Sequence, residues 1–273
     1  MSFQDRVVII TGAASGIGRA LSDELTRRGA IVVGADKQFT GSDPRAVRLD
    51  VRDAAGVLRL VDDTIRTHGR LDYMFNNAGI GVSGEMRDLT LDDWRTVIDI
   101  NLMGVIYGTK AAYDAMVEQR SGHIVNIASL AGLIYPPGLL PYDAAKAGVV
   151  ALSSALRVEA KAYGVRVSAV CPGFIDTAIY ENAIGVKRDR QETLKNIRLP
   201  VLPVQDAVRA ILRGVEHNQA TIVFPPSARL LWRLMRMNPA LLTPLWRRTV
   251  QHLRRPTVPR ASSSPSPGSG ASG

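Results

Sequence analysis

Three glycines constrain the fold more than any other feature of this chain. Gly12, Gly16 and Gly18 follow an apolar run, Arg6 to Thr11, and open a helical pattern from about Ile17 to Arg28 that Gly29 closes. A second apolar run, Ile31 to Ala35, then ends on Asp36. Strand, glycine loop, helix, strand and acid come in the order of a βαβ unit whose helix N-terminus faces an anion. Gly12 permits the tight turn, Gly16 lets a pyrophosphate approach the backbone, and Gly18 lets the helix pack closely.

Asp36 lies 18 residues after Gly18, where an acid accepts a hydrogen bond from an adenosine ribose. A carboxylate there repels a 2′-phosphate, and Ser15 in the loop brings no compensating cation. The expected cofactor is therefore NAD. NADP stays open, because Lys37 follows at once.

Strands and helices continue to alternate. Val47 to Val51 reads as a third strand ending on Asp50, and residues 53–68 carry apolar positions at helical spacing. Leu71 to Phe75 is a strand ending in Asn76-Asn77-Ala78-Gly79. A long helical region runs from Leu91 to about Gln119, with the polar Asn101 among apolar neighbours. Ile124 to Ala128 is a buried strand that delivers Ser129. A helix from Pro141 to about Tyr163 carries Tyr142 and Lys146. Val165 to Val170 forms the next strand, followed by Cys171-Pro172-Gly173-Phe174-Ile175-Asp176-Thr177. Residues 178–202 read as a solvated face or a mobile lid, Gln205 to Val215 as a helix and Thr221 to Phe224 as a last strand. This order predicts an α/β fold: a Rossmann-type doubly wound parallel sheet of about seven strands, with helices on both faces. Residues 1–225 form one domain.

Tyr142 and Lys146 stand four residues apart, so a phenol and an ammonium share one helical face. A cation beside a phenol favours the phenolate and moves a tyrosine toward the range of an acid–base catalyst. Taken alone, such a pair is an exposed couple on a helix. Beside a dinucleotide loop, Ser129 and Asn101, it reads as catalytic. The single cysteine, Cys171, excludes a disulfide framework within the chain and reads as a small core residue. Four scattered histidines show no metal-ligand spacing, so no metal is expected.

The chain resembles the short-chain dehydrogenase/reductase family, in its branch of about 250 residues. The matching motifs are T-G-x-x-x-G-x-G at Thr11–Gly18, Asp50, N-N-A-G at Asn76–Gly79, Asn101, Ser129, Y-x-x-x-K at Tyr142–Lys146 and P-G-x-x-x-T at Pro172–Thr177. The resemblance implies an NAD(P)-dependent oxidoreductase acting on CH–OH groups. It makes Tyr142 the proton donor or acceptor, Lys146 the group that lowers its pKa and binds the nicotinamide ribose, and Ser129 the holder of the substrate oxygen. Asn101 keeps a water in a proton relay. Cofactor contacts fall on Gly12, Ser15, Gly16, Ile17, Gly18, Asp36, Asp50, Val51, Asn77, Ala78, Gly79, Tyr142, Lys146, Pro172, Gly173, Ile175 and Thr177. The competing class is a non-catalytic dinucleotide-binding scaffold, against which the intact Ser129, Tyr142, Lys146 and Asn101 stand.

Residues 226–260 read as a basic amphipathic helical extension. The formal charge of +9 belongs to this end: residues 226–273 hold eight arginines and no lysine or acid, and removing those eight leaves residues 1–225 at +1. Leucines and tryptophans alternate with these arginines at helical spacing. Two readings stand, contact with a membrane surface through residues 226–255 or packing on the domain or a second subunit. Nucleic acid is not expected, because the arginines come without a reader motif. Residues 261–273 contain only Ala, Ser, Pro and Gly and read as a disordered tail. A greasy extension, with Leu133, Ile134, Leu139 and Leu140 between Ser129 and Tyr142, suggests a small lipophilic alcohol or ketone of steroid, retinoid or fatty type. A homo-oligomer, dimer or tetramer, in the cytoplasm or peripheral to a membrane completes the expectation.

Overall fold

The computed structural model describes residues 3–40, 45–180, 183–185 and 201–254. Among these residues seven strands form one parallel sheet. Its members are β1 (Val7–Thr11), β2 (Ile31–Asp36), β3 (Ala46–Arg48), β4 (Tyr73–Asn76), β6 (Gly122–Ile127), β7 (Val165–Pro172) and β9 (Thr221–Phe224). The order across the sheet is β3-β2-β1-β4-β6-β7-β9. The chain winds outward from β1 to β3, returns, and winds outward again from β4. Its switch point lies between β1 and β4, where open α/β sheets bind ligands. A separate short parallel pair joins β5 (Val82–Ser83) to β8 (Ile184–Gly185).

Helices cover both faces of the sheet, and its central strands β1, β4 and β6 are accordingly buried along their whole length. One face holds α1 (Gly16–Arg27) and α7 (Val204–Glu216), which pack Leu21, Leu25, Ile211 and Leu212 onto Val8, Ile10 and Phe75. The other face holds α2 (Ala54–His68), whose Val57, Leu60 and Val61 join Ile9, Met74 and Ile124. Gly69, left-handed at φ 76°, ends α2.

Two sequence expectations change here. The third strand stops at Arg48, because only three of its residues pair with β2, so Asp50 sits in the turn beyond it. The region from Leu91 to Gln119 is not one regular helix. After α3 (Leu91–Ile98), a π-helical turn spans Asp99–Met103 before α4 (Gly104–Gln119). One added residue per turn rotates Asn101 fully inward, a local event that apolar periodicity does not encode.

The loop after β6 enters α5 (Ala131–Ile134), then α6 (Leu140–Ala160), with Pro141 in its first turn. Beyond β9, α8 (Pro226–Met237) and α9 (Thr243–Leu253) pack back on the domain. Leu231, Trp232, Leu234, Met235 and Trp246 cover Leu130, Leu133, Ile134, Val149 and Val223. The extension therefore caps a core cluster, and Leu133 and Ile134 lie under it rather than lining an open pocket. Most of the stretch read as a lid, and the Ser/Pro/Gly tail, lie outside the described residues. No helix among the described residues is long and apolar enough to cross a membrane.

Candidate active site

The glycine loop is held to β4 by Thr11 and Asn77. The Thr11 hydroxyl accepts from the backbone N–H groups of Asn77 at 3.0 Å and Ala78 at 3.1 Å. The Asn77 amide in turn donates to the carbonyls of Thr11 at 3.0 Å and Gly12 at 3.1 Å. This closes the switch point and leaves no bulk inside it. A Cβ on Gly18 would lie 2.0 Å from the Gly12 carbonyl oxygen, and one on Gly12 would lie 2.8 Å from Ala78 Cα. Ser15 precedes α1 in extended conformation, and Ile17 turns its side chain to the core. The resulting cradle, at the N-terminus of a 12-residue helix, fits a pyrophosphate.

Around that cradle the other expected cofactor residues fall at the carboxyl edge of the sheet. Asp36 ends β2, and its carboxylate accepts from Ala14 N at 3.1 Å and Gln38 N at 2.9 Å. The Thr177 side chain lies 3.4 Å from where a Cβ on Gly16 would stand, so the two ends of the site meet there. The Pro172 carbonyl accepts from Leu130 N and Gly173 N donates to Phe224 O, which ties the β7 exit to its neighbours. Ile175 is buried and bridges Leu202. Val51 is buried and fills the space beside Gly104.

Hydrogen bonds already made define how the side chains of three of these residues stand at the site. Asn77 spends both amide protons on the glycine loop, so its side chain positions that loop. Asp50 is gripped by Arg52, whose Nη2 lies 2.6 Å from Oδ2. That fork and nearby Lys37 hold its carboxyl below the usual range, so the Asp50–Arg52 pair, not a free carboxylate, borders the site. The Asn101 side chain clamps the Ile80 backbone, accepting from its N–H at 2.8 Å and donating to its carbonyl at 2.9 Å. With both ends engaged, the amide fixes the loop after β4, and any relay through this residue would run through its main chain.

Gly79, Asn101 and Lys146 converge. A Cβ on Gly79 would stand 2.9 Å from Asn101 Oδ1 and 3.5 Å from Lys146 Nζ. Lys146 is 3% exposed, and its ammonium donates to the Ile127 carbonyl at 2.9 Å. It lies 5.6 Å from the centre of the half-buried Tyr142 ring. Ser129 lies beside the Tyr142 phenol, and its oxygen accepts from Ala131 N at 3.1 Å. Burial opposes both charges. It pushes the tyrosine up to about 12, against a smaller downward pull from Ser129, and draws Lys146 down to about 8. The tyrosine is therefore raised by its burial rather than depressed, and the Lys146 ammonium is engaged by the Ile127 carbonyl.

Several participants carry no sequence signature. Asp143, beside Tyr142, is 5% exposed, and neither carboxylate oxygen has a hydrogen-bond partner. Burial pushes it up to about 8, so it is a neutral acid near pH 7. Beneath the site, Asn76 donates to Thr109 at 3.2 Å and Asn126 at 2.8 Å, and Asn126 donates to Ser153 on α6 at 3.0 Å. This chain ties the catalytic helix to the sheet. The only signal for it was polar residues inside otherwise apolar runs. Cys171 is fully buried with its thiol pushed up to about 12, as a core residue should be. No cluster of metal-ligating side chains exists among the described residues.

A model of the short chain dehydrogenase family matches residues 6–185, a stretch that includes the cradle, Asn101, Ser129, Tyr142 and Lys146. The chain belongs to the short-chain dehydrogenase family. It is an NAD(P)-dependent oxidoreductase of the dehydrogenase/reductase type. The SadH protein of Mycobacterium tuberculosis is 35% identical over 253 residues, covering 86% of this chain and 92% of that protein. A 3-oxoacyl-(acyl-carrier-protein) reductase of Synechocystis is 38% identical over 190 residues, 65% of this chain and 77% of that one. Among solved structures, a short chain dehydrogenase/reductase from Burkholderia phymatum in complex with NAD superposes with a TM-score of 0.77 at 28% identity. That superposition covers 96% of this chain and 99% of the other. The family model ends at residue 185, so α7, β9, α8 and α9 lie beyond it.

Proposed function

We propose that this dehydrogenase interconverts a lipophilic alcohol and its carbonyl using NAD, with Tyr142 as the proton donor and acceptor. One observation carries the reading: Ser129, Tyr142 and Lys146 meet beside the glycine cradle at the carboxyl edge of the sheet. The nicotinamide, when bound, supplies or accepts the hydride. Ser129 holds the substrate oxygen by a hydrogen bond and Tyr142 gives or takes its proton. Lys146, held on the Ile127 carbonyl, sets the position of positive charge beneath the ring.

Because burial raises Tyr142, the phenol keeps its proton at neutral pH and is ready to donate to a carbonyl. Oxidation of an alcohol needs the phenolate, so kcat/KM in that direction rises with pH below about 12. NAD is supported by the Asp36 carboxylate beside the loop, which repels a 2′-phosphate, and by the NAD-bound Burkholderia relative. The Synechocystis relative, named for a 3-oxoacyl substrate, supports a lipophilic carbonyl. A cytoplasmic homo-oligomer, dimer or tetramer, belongs to the same proposal, as does peripheral membrane contact through residues 226–255. Leu230, Met237 and Leu241 stay more than half exposed, with exposed arginines on the same helices. Light scattering and sedimentation with anionic vesicles check these two points.

The deciding experiment is Tyr142→Phe, assayed by NADH formation on a panel of lipophilic alcohols. The expected result is loss of turnover by at least about a thousandfold, with NADH still bound. Near-normal turnover in that variant would overturn the assignment.

A further inference from the structure

A cavity of about 310 Å³ lies at the amino edge of the sheet, the end opposite the glycine cradle. Four neighbouring strands begin there. Arg6 precedes β1, Arg70 and Asp72 precede β4, Gly122 opens β6 and Arg166 is the second residue of β7. All five line the cavity, together with Tyr73. The volume is at the lower end of small-molecule sites, which run from roughly 300 to 1,000 Å³.

The lining is charged in one sense, with three guanidiniums and one carboxylate. That carboxylate, Asp72, is 7% exposed and already saturated. It accepts from Arg6 Nη1 at 2.9 Å, Val7 N at 3.0 Å, Arg70 Nε at 2.8 Å and Arg70 Nη2 at 2.6 Å. Asp72 thereby fixes two of the guanidiniums in place, and Arg166 joins them in the lining. Of the five N–H donors on each group, Arg6 gives Asp72 one and Arg70 gives it two. The lining is left with two positive charges in excess, on planar forks of the shape that grips a phosphate. Glu216, the other acid that acts on Tyr73, is bound to Arg28 at 2.9 Å.

Tyr73 adds a neutral donor. Its ring packs against Phe3, with centroids 5.2 Å apart, and against His123 at 5.9 Å. Burial pushes the phenol up, against a pull from Arg166 and Arg6, so it keeps its proton at neutral pH and can donate. The buried His123 stays neutral, drawn down to about 3 by burial and then by Arg166 and Arg157.

From this charged cavity we infer that the amino edge of the sheet binds a phosphoryl dianion, inorganic phosphate or the phosphate of a small organic monoester. Arg6, Arg70, Arg166 and the Tyr73 hydroxyl hold it. The site is separate from the cofactor cradle, which lies at the other end of β1 and β4, and it does not depend on the substrate reading above. Asp72 arranges Arg6 and Arg70 beforehand, so they lose little side-chain entropy on binding. The site exists only where four strands are assembled, so the anion binds the folded chain alone and stabilises it by mass action.

The test is isothermal titration calorimetry with inorganic phosphate and with glycerol phosphate. It uses the full chain saturated with its dinucleotide, so that the glycine cradle is filled, at an ionic strength held constant with chloride. Both anions are expected to bind saturably and to raise Tm in step. Tighter binding of glycerol phosphate assigns the organic monoester, and equal or weaker binding assigns inorganic phosphate. Arg166→Gln removes a charged donor and is expected to weaken binding by about tenfold or more. Tyr73→Phe removes one neutral donor and is expected to weaken it by about twofold to tenfold. Dinucleotide affinity stays within about twofold of the wild type in each, which shows that the variant is folded. If Arg166→Gln fails that check, Tyr73→Phe decides. No saturable binding to the wild type, or binding that both variants leave unchanged, overturns the site. Succinate binding as tightly as phosphate overturns the phosphoryl assignment.

Discussion

Asp143 is a buried carboxyl with no partner, and its cost is set by pH. Burial raises its folded pKa to about 8 from an ordinary 3.8. Between those values the folded state holds a proton that the unfolded state has released. Stability from this group is therefore greatest below the lower value and falls as pH rises to the upper one. Asp143→Asn copies the neutral acid without the titration. It should raise stability by up to about 6 kcal/mol above the upper value and by almost nothing below the lower one, as read by thermal unfolding at the two extremes. An equal effect at both would show that the carboxyl is not the cause. His123 works with the opposite sign. It is buried neutral, with its pKa drawn down from 6.5 to about 3, so it withdraws stability as pH falls through that window. Asp36 belongs to this scale as well. Asp36→Ala should shift the NAD/NADP ratio of kcat/KM toward NADP by about tenfold or more, because it removes the charge that faces a 2′-phosphate. An unchanged ratio would count against its role.

Helix α6 carries the catalytic pair, and its position depends on a residue that has no side chain. Gly132 of α5 lies so close that a Cβ would stand 2.5 Å from the Lys146 carbonyl carbon and 2.6 Å from its oxygen. Both are backbone atoms, so a rotamer change cannot relieve the contact. Gly132→Ala should cost about 1–3 kcal/mol and lower kcat by pushing Tyr142 and Lys146 away from the cradle. Thermal unfolding and steady-state kinetics check this together, and a variant with native Tm and kcat would refute it. The π turn at Asp99–Met103 is a comparable device. It points Asn101 at the Ile80 backbone, which a regular helix through that stretch would not do.

For the whole molecule, the extension is part of the fold rather than an attachment to it. Removing residues 226–273 would uncover Leu130, Leu133, Ile134 and Val223, four side chains that are otherwise buried. Each contributes about 1.5–3 kcal/mol when fully buried, so the truncated chain should lose more than about 5 kcal/mol and aggregate. Size-exclusion chromatography and denaturant unfolding would show it, and a monodisperse truncated protein of native stability would contradict it. The parallel sheet, the glycine cradle and the spacing of Ser129, Tyr142 and Lys146 were legible in the sequence. They depend on local chemistry: glycines where a turn and a phosphate exclude side chains, apolar runs of strand length, and residues one helical turn apart. The tertiary structure alone decided what each polar group faces. Asn77 and Asn101 turned to backbone partners, Asp50 to Arg52, and Lys146 to the Ile127 carbonyl. Leu133 and Ile134 went beneath the extension while Leu253 reached the Gly138 loop. These partners lie far apart along the chain, and burial, which lifts Tyr142 and Asp143 and lowers Lys146, exists only once the chain has packed around them.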